Sequence, residues 1–308
     1  MEDSVRGVFV DANEALAVIF ERLAEPGDPA VRIHRDPDVA PEQLPGVLGG
    51  AAIAIVDHTP LPTDIAGKCA GLKHVVFLGT GARSYMNPEE LGELGIAVHL
   101  IRGYGDTAVA ESAIALMWAA ARGIARMDRE MRAGNWLRED GMQLTGKTLG
   151  LIGFGGIATE VARIARGSGM RVIAWNRTPK RSAGVEFVEL DELLTESDVV
   201  SLHLLLNDET RGFVSRACID AMKPGVILVN TARGALVDED AMIEALKAGQ
   251  IRHAGLDVFN IEPLPADHPL TKLDNVTLSA HSAFRTPEAS ENLMAAAWAH
   301  CRRIARGQ

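Results

Sequence analysis

Gly153-Phe154-Gly155-Gly156-Ile157-Ala158 constrains this chain more than any other stretch. It follows an apolar run (Leu149, Leu151, Ile152) and opens a helical pattern carried by Ile157, Val161 and Ile164. Strand, glycine turn and helix in that order form the G-x-G-x-x-A arrangement that receives a dinucleotide pyrophosphate. Gly153 permits the tight turn, Gly155 lets the backbone approach phosphate, and Ala158 lets helix and strand pack closely. The N–H groups of Gly156 and Ile157, at the positive end of the helix dipole, are then expected to meet the negative charge.

The rest of the chain has the rhythm this motif requires. Apolar runs at 5–10, 31–34, 51–56, 73–78 and 96–100 alternate with helical patterns such as 13–24 and 63–70, while 25–50 reads as loops around one short strand. A long helix is expected over 108–133, strands at 171–175, 198–204, 226–230 and 255–258, and a last helix at 287–306. Such alternation predicts α/β architecture with parallel sheets. Two doubly wound domains follow: a substrate domain of residues 1–103 with 284–308, and a dinucleotide-binding domain of residues 104–283, with a cleft between them.

Charge and cysteine usage narrow the partners. A net charge of −10 argues against nucleic acid and against an anionic membrane surface. The apolar stretch 108–125 contains Glu111 and Arg122 and reads as a buried helix, not a membrane span. Cys69, Cys218 and Cys301 lack metal or redox spacing, so no metal site is expected. Reduced thiols and a start without a basic, apolar leader suit a cytoplasmic protein.

The second strand of a dinucleotide fold usually ends in an acidic residue that holds the adenosine ribose. Here 171–175 is followed by Asn176-Arg177-Thr178, with Lys180 and Arg181 close behind. A carboxylate would repel a 2′-phosphate, whereas this set offers it charge and donors, which favours NADP over NAD. Three further polar side chains stand just past later strands: Arg233, Glu262 and His281. All three are expected at the sheet edge that carries the glycine turn.

From Asn135-Trp136 to about Pro287 the sequence resembles the D-isomer-specific 2-hydroxyacid dehydrogenases. The resemblance rests on Gly146-Lys147-Thr148-Leu149-Gly150, Met222-Lys223-Pro224-Gly225, Asn230-Thr231-Ala232-Arg233-Gly234, Val237-Asp238, Ala254-Gly255-Leu256-Asp257-Val258-Phe259 and Glu262-Pro263-Leu264. Val109-Ala110-Glu111 and Gly79-Thr80-Gly81 also match. It implies flavodoxin-like and Rossmann domains, and reduction of a small 2-keto acid of the glyoxylate or hydroxypyruvate type. Arg233 would clamp the substrate carboxylate and keto oxygen. His281 would act as the general acid, held charged by Glu262. The resemblance places the N–H groups of Thr80 and Gly81 on the substrate carboxylate, Asp257 on the nicotinamide carboxamide, and Thr231 and Ala232 along the nicotinamide ribose. It also implies a homodimer that buries the helix beginning near Val109, whose apolar face is Ile114-Ala115-Leu116-Met117-Trp118.

The sequence departs from the family pattern in places. Ala280 replaces the usual proline before the histidine, which predicts a less fixed loop, and Leu205 stands where proline is common beside the cofactor. Phe284 and Arg285 replace a small turn, and either shape the substrate pocket or dock the last helix. Two other activities compete with the reductase reading: a non-catalytic dinucleotide-sensing protein of the same fold, and a phosphite-type dehydrogenase. The first would need no acid and no carboxylate clamp. The second gains nothing from Asn176-Arg177.

Overall fold

A computed structural model of the chain describes residues 7–178 and 180–307. The first predicted strand is therefore seen from Gly7 onward, and Val5 and Arg6 lie outside the described residues. The chain divides into two compact units, Met1–Gly105 with Arg285–Gln308, and Asp106–Phe284.

The first unit runs β1 (Gly7–Phe9), α1 (Glu14–Arg22), β2 (Val31–Ile33), α2 (Leu44–Leu48), β3 (Ile53–Val56), α3 (Thr63–Ala66), β4 (His74–Phe77), α4 (Pro88–Glu93) and β5 (Ala97–Leu100). The second begins with α5 (Asp106–Arg122) and α6 (Ile124–Arg132). It continues through β6 (Thr148–Ile152), α7 (Gly156–Gly167), β7 (Arg171–Trp175), β8 (Glu186–Phe187), α8 (Leu190–Glu196), β9 (Val199–Leu202) and α9 (Arg216–Ala221). The strands β10 (Val226–Asn230), β11 (Ile251–Leu256) and β12 (Val276–Leu278), with α10 (Glu239–Ala248) between the first two, complete it. The last helix, α11 (Pro287–Ala305), belongs to the first unit.

Both sheets are parallel throughout. The first has the order β2-β1-β3-β4-β5, the flavodoxin-like arrangement, with its switch point between β1 and β3. The second has the order β12-β11-β10-β9-β6-β7-β8, the Rossmann arrangement, with its switch point between β6 and β9. Ligands in such sheets bind outside the carboxyl ends of the strands at the switch point, and the glycine turn leaves β6 there.

Strands covered on both faces must be apolar nearly throughout, and Leu149, Leu151, Val199, Val200, Ile227 and Leu228 are all fully buried. On one face, α5 lays Ala110, Ala113, Leu116 and Met117 beside Ala158, Val161 and Ala162 of α7. The small side chains let the helices approach closely. The apolar face expected at a dimer contact is thus largely spent inside its own unit: Ile114, Leu116 and Met117 are all buried there. In the first unit, Trp298 of α11 stacks on Phe20 of α1 at 4.3 Å and donates its indole N–H to the Phe20 carbonyl at 2.8 Å.

The structure corrects several element assignments. The helix expected over 108–133 breaks at Gly123, which takes the left-handed conformation (φ 62°), and α5 and α6 diverge by 67°. The Glu139 carboxylate packs against Gly123 where a side chain would sit. No single helix among the described residues is long and apolar enough to cross a membrane. The helix predicted over 63–70 ends at Ala66 and continues as i→i+3 turns, Lys68 N–H to Ile65 O and Cys69 N–H to Ala66 O. The stretch 25–50 holds α2 besides its strand, and β11 starts at Ile251, not 255.

Candidate active site

The turn after β6 has the geometry its glycines suggested. Gly153 adopts φ 90°, and a β-carbon there would lie 2.6 Å from the His203 carbonyl oxygen. A β-carbon on Gly155 would meet nothing within 4 Å, so the space outside it is open. No side chain caps the N-terminus of α7. Asn176, at the end of β7, braces this turn: Oδ1 accepts the Phe154 N–H at 3.0 Å, and Nδ2 donates to Thr178 O at 2.6 Å. Lys180 Nζ donates to Phe154 O, and Arg177, exposed like Thr178, is ion-paired with Glu209. His203, just past β9, bonds Ser201 Oγ through Nε2 at 2.9 Å. Burial pushes its ring down to about 4, so it is neutral at physiological pH.

At the end of β10, Asn230 is 2% exposed and folds the next loop around itself. Its Oδ1 accepts the Ala232 N–H at 3.0 Å, and its Nδ2 donates to Arg233 O at 2.9 Å. Arg233 donates through Nη1 to Ala232 O at 2.6 Å. Thr231 Oγ1 is buried and has no hydrogen-bond partner among the described residues. Gly234 lies directly on the neighbouring loop, because a β-carbon there would fall 2.1 Å from the Phe259 carbonyl carbon. The arginine-bearing and glutamate-bearing loops are therefore in main-chain contact. No hydrogen bond joins Arg233 to Glu262 or His281 among the described residues.

Asp257, just past β11, is fully buried and organises the loop that carries the histidine. Its carboxylate accepts from Ser279 Oγ, Ser282 N–H (3.0 Å) and Ala283 N–H (3.0 Å), and its carbonyl accepts the His281 N–H (2.8 Å). This overturns the expectation that Ala280 leaves the loop less fixed. The Asp257 carboxylate faces the loop and is spent on it. Held this way, His281 takes φ 47°, a region L-residues rarely occupy and one that recurs at functional sites.

The side chain of His281 meets Glu262 at 2.6 Å, Nδ1 to Oε2. The other oxygen, Oε1, accepts the Phe259 N–H at 2.8 Å. A carboxylate can only accept, so Nδ1 carries the proton of this bond and Nε2 is left for a substrate. Both side chains remain about a third exposed, at 37% and 34%, so the pair is reachable. Phe284 stands perpendicular to the imidazole at 6.5 Å, beside the ring that a substrate would approach.

A carboxylate–imidazole pair and a neighbouring guanidinium on one edge of a Rossmann sheet suit reduction of a carbonyl next to a carboxylate. The model of the D-isomer specific 2-hydroxyacid dehydrogenase NAD-binding domain matches residues 114–283. The chain belongs to this family. It is similar to a hydroxypyruvate reductase of Thermotoga maritima, 40% identical over 247 residues that cover 78% of this chain and 80% of the relative. A glyoxylate reductase of Aeropyrum pernix is 43% identical over 253 residues, 75% of each chain. The crystal structure of a glyoxylate reductase from Paecilomyes thermophila superposes with a TM-score of 0.88 at 29% identity, covering 98% of this chain and 96% of that one.

As a 2-hydroxyacid dehydrogenase the protein is an oxidoreductase that uses a nicotinamide dinucleotide. Its residues fit that cofactor on three counts: the open face of Gly155, the uncapped start of α7, and the orphaned hydroxyl of Thr231. In the dehydrogenase's first unit, Thr80 and Gly81 follow β4, and neither N–H donates to any group among the described residues. Asp11, past β1, is fully buried and accepts from the N–H groups of Asp57 (2.9 Å), His58 (2.8 Å) and Thr59 (2.7 Å) and from Thr59 Oγ1 (2.8 Å). It thereby fixes the loop past β3 at that sheet's switch point. The hydrogen bond to Asp57 raises the His58 ring to about 9. Sequence reasoning missed Asp11, His58, Asn230 as a brace, and His203. Each ends a strand or lies within two residues of a strand's end, which is the signal that could have found them.

Proposed function

We propose that the protein reduces a small 2-keto acid, glyoxylate or hydroxypyruvate, to the D-2-hydroxy acid, with NADPH preferred. The His281–Glu262 pair carries this reading, because an imidazole held on a carboxylate through Nδ1 leaves Nε2 free to give a proton to a forming alkoxide. The bound dinucleotide supplies the hydride. Arg233 holds the substrate carboxylate and polarises the keto oxygen through its planar fork. The His281 Nε2–H gives its proton to that oxygen as the carbon is reduced, and Glu262 orients the ring through Nδ1. The N–H groups of Thr80 and Gly81, unused within the first unit, are donors of the kind a carboxylate accepts from. Thr231 and Ala232 line the nicotinamide ribose, and Gly153, Gly155, Gly156 and Ile157 receive the pyrophosphate. Asn176 leaves no carboxylate at the end of β7 to oppose a 2′-phosphate, and Arg177 exchanges Glu209 for it.

The test is loss of absorbance of the reduced cofactor with glyoxylate, hydroxypyruvate, pyruvate and phenylpyruvate, each with NADPH and with NADH. We expect the two smallest acids to be best and NADPH to be preferred. Arg177→Ala should lower that preference about tenfold, one charge-assisted contact. Tight cofactor binding without turnover of any keto acid would overturn the reductase reading.

A homodimer is part of this proposal. Among the described residues Ile124 (52%), Met131 (55%) and Trp136 (76%) of α6 and the segment after it are heavily exposed. Large apolar groups clustered on one helix and its extension fit a subunit contact. Light scattering should give twice 32.9 kDa, and a monomer mass would refute it.

A further inference from the structure

The first turn of α7 contains no acidic residue of its own. A carboxylate nevertheless reaches it from another helix. Asp106, the first residue of α5, lies against Gly156, where a β-carbon would fall 1.8 Å from Asp106 Oδ2 and 2.7 Å from its Cγ. Among the described residues the Asp106 carboxylate makes no hydrogen bond and no ion pair. Burial raises its proton affinity above that of an ordinary aspartate, and Glu160, one turn further along α7, raises it again. Glu160 itself is paired with Arg163 at 2.9 Å. A partly desolvated, unpartnered carboxylate therefore stands beside the N–H groups that a pyrophosphate would meet.

We propose that Asp106 is an anionic gatekeeper of the cofactor site: while ionised it opposes the pyrophosphate, and it binds a proton from solvent as the dinucleotide enters. The physical basis is like-charge proximity. Two anions that share a desolvated place next to one helix terminus cannot both stay charged without cost, and the carboxylate is the one able to neutralise. The absent side chain of Gly156 is what makes room for this carboxylate. The inference rests on the cofactor placement proposed above for residues 153–157.

The experiment is calorimetric titration of the full chain with ADP-ribose, in buffers of different ionisation enthalpy between about pH 5 and 8. ADP-ribose carries the pyrophosphate but neither nicotinamide nor 2′-phosphate, so neither a nicotinamide contact of His281 nor a 2′-phosphate contact enters the readout. Wild-type protein should take up a proton on binding and lose about tenfold in affinity as pH rises across that range. Asp106→Asn should bind about tenfold more tightly at the upper end, without proton uptake and nearly independently of pH. Glu160→Gln leaves Asp106 in place and should move the uptake to lower pH, which keeps the test available if Asp106→Asn fails to fold. Wild-type affinity and pH dependence in Asp106→Asn, or an unmoved uptake in Glu160→Gln, would overturn the gatekeeper. Failure of wild-type protein to bind ADP-ribose would instead remove the cofactor placement, and the gatekeeper with it.

Discussion

His281→Asn will lower kcat for keto-acid reduction by about 10²- to 10⁴-fold, the span that a positioned general acid contributes. Dinucleotide binding and thermal stability will stay at the wild-type level or rise slightly. Asparagine occupies the left-handed backbone region more readily than histidine, so the φ of 47° is relieved, not worsened. The Glu262 carboxylate left behind is about a third exposed and keeps its bond to the Phe259 N–H, so water can solvate it. A variant that loses activity without losing stability is the signature of strain held at a working site. Steady-state kinetics, fluorescence titration of the cofactor and a thermal melt on one preparation decide the matter. Turnover within an order of magnitude of wild type would remove His281 from the acid role.

Gly234→Ala will damage both the fold and the chemistry. The added carbon would lie 2.1 Å from the Phe259 carbonyl carbon, 2.4 Å from its oxygen and 2.5 Å from the Asn260 nitrogen. All three are main-chain atoms, so no side chain can turn aside. The segment must move, and it is the segment whose N–H holds Glu262. Overpacking of this kind costs about 1–3 kcal/mol. Displacing the pair by about 1 Å is expected to remove about 10²-fold in kcat/KM. Gly46→Ala is the control: a β-carbon there meets nothing within 4 Å, and both stability and activity should hold. Wild-type kinetics in Gly234→Ala would show that the contact between the two loops is dispensable.

Much of this site was visible in the sequence, for reasons specific to particular residues. Arg233, Glu262 and His281 follow apolar strands whose existence composition reveals, even where their bounds shift by a few residues. The glycine turn is legible because each of its positions has a local steric purpose. Gly123 was not, since one glycine in an apolar helical run gives no sign of the left-handed backbone that bends α5 away from α6. The strand β8 is only two residues long and has no period to detect. The service of Asp257 to the histidine loop was hidden because its partners lie 22 to 26 residues away in the chain. That the Asn176 amide also braces Phe154 and Thr178 is something only packing reveals.

The anchoring of the histidine loop has an evolutionary side. Three of the four bonds it makes to Asp257 come from main-chain N–H groups, of His281, Ser282 and Ala283, and only Ser279 contributes a side chain. Main-chain donors are the same whatever residue bears them. The exposed positions Ala280 and Ser282 are thus released from holding the loop in place and can drift or be randomised without moving His281. A lineage, or a combinatorial library, can rewrite the surface beside His281 at these two positions while the imidazole stays where it is.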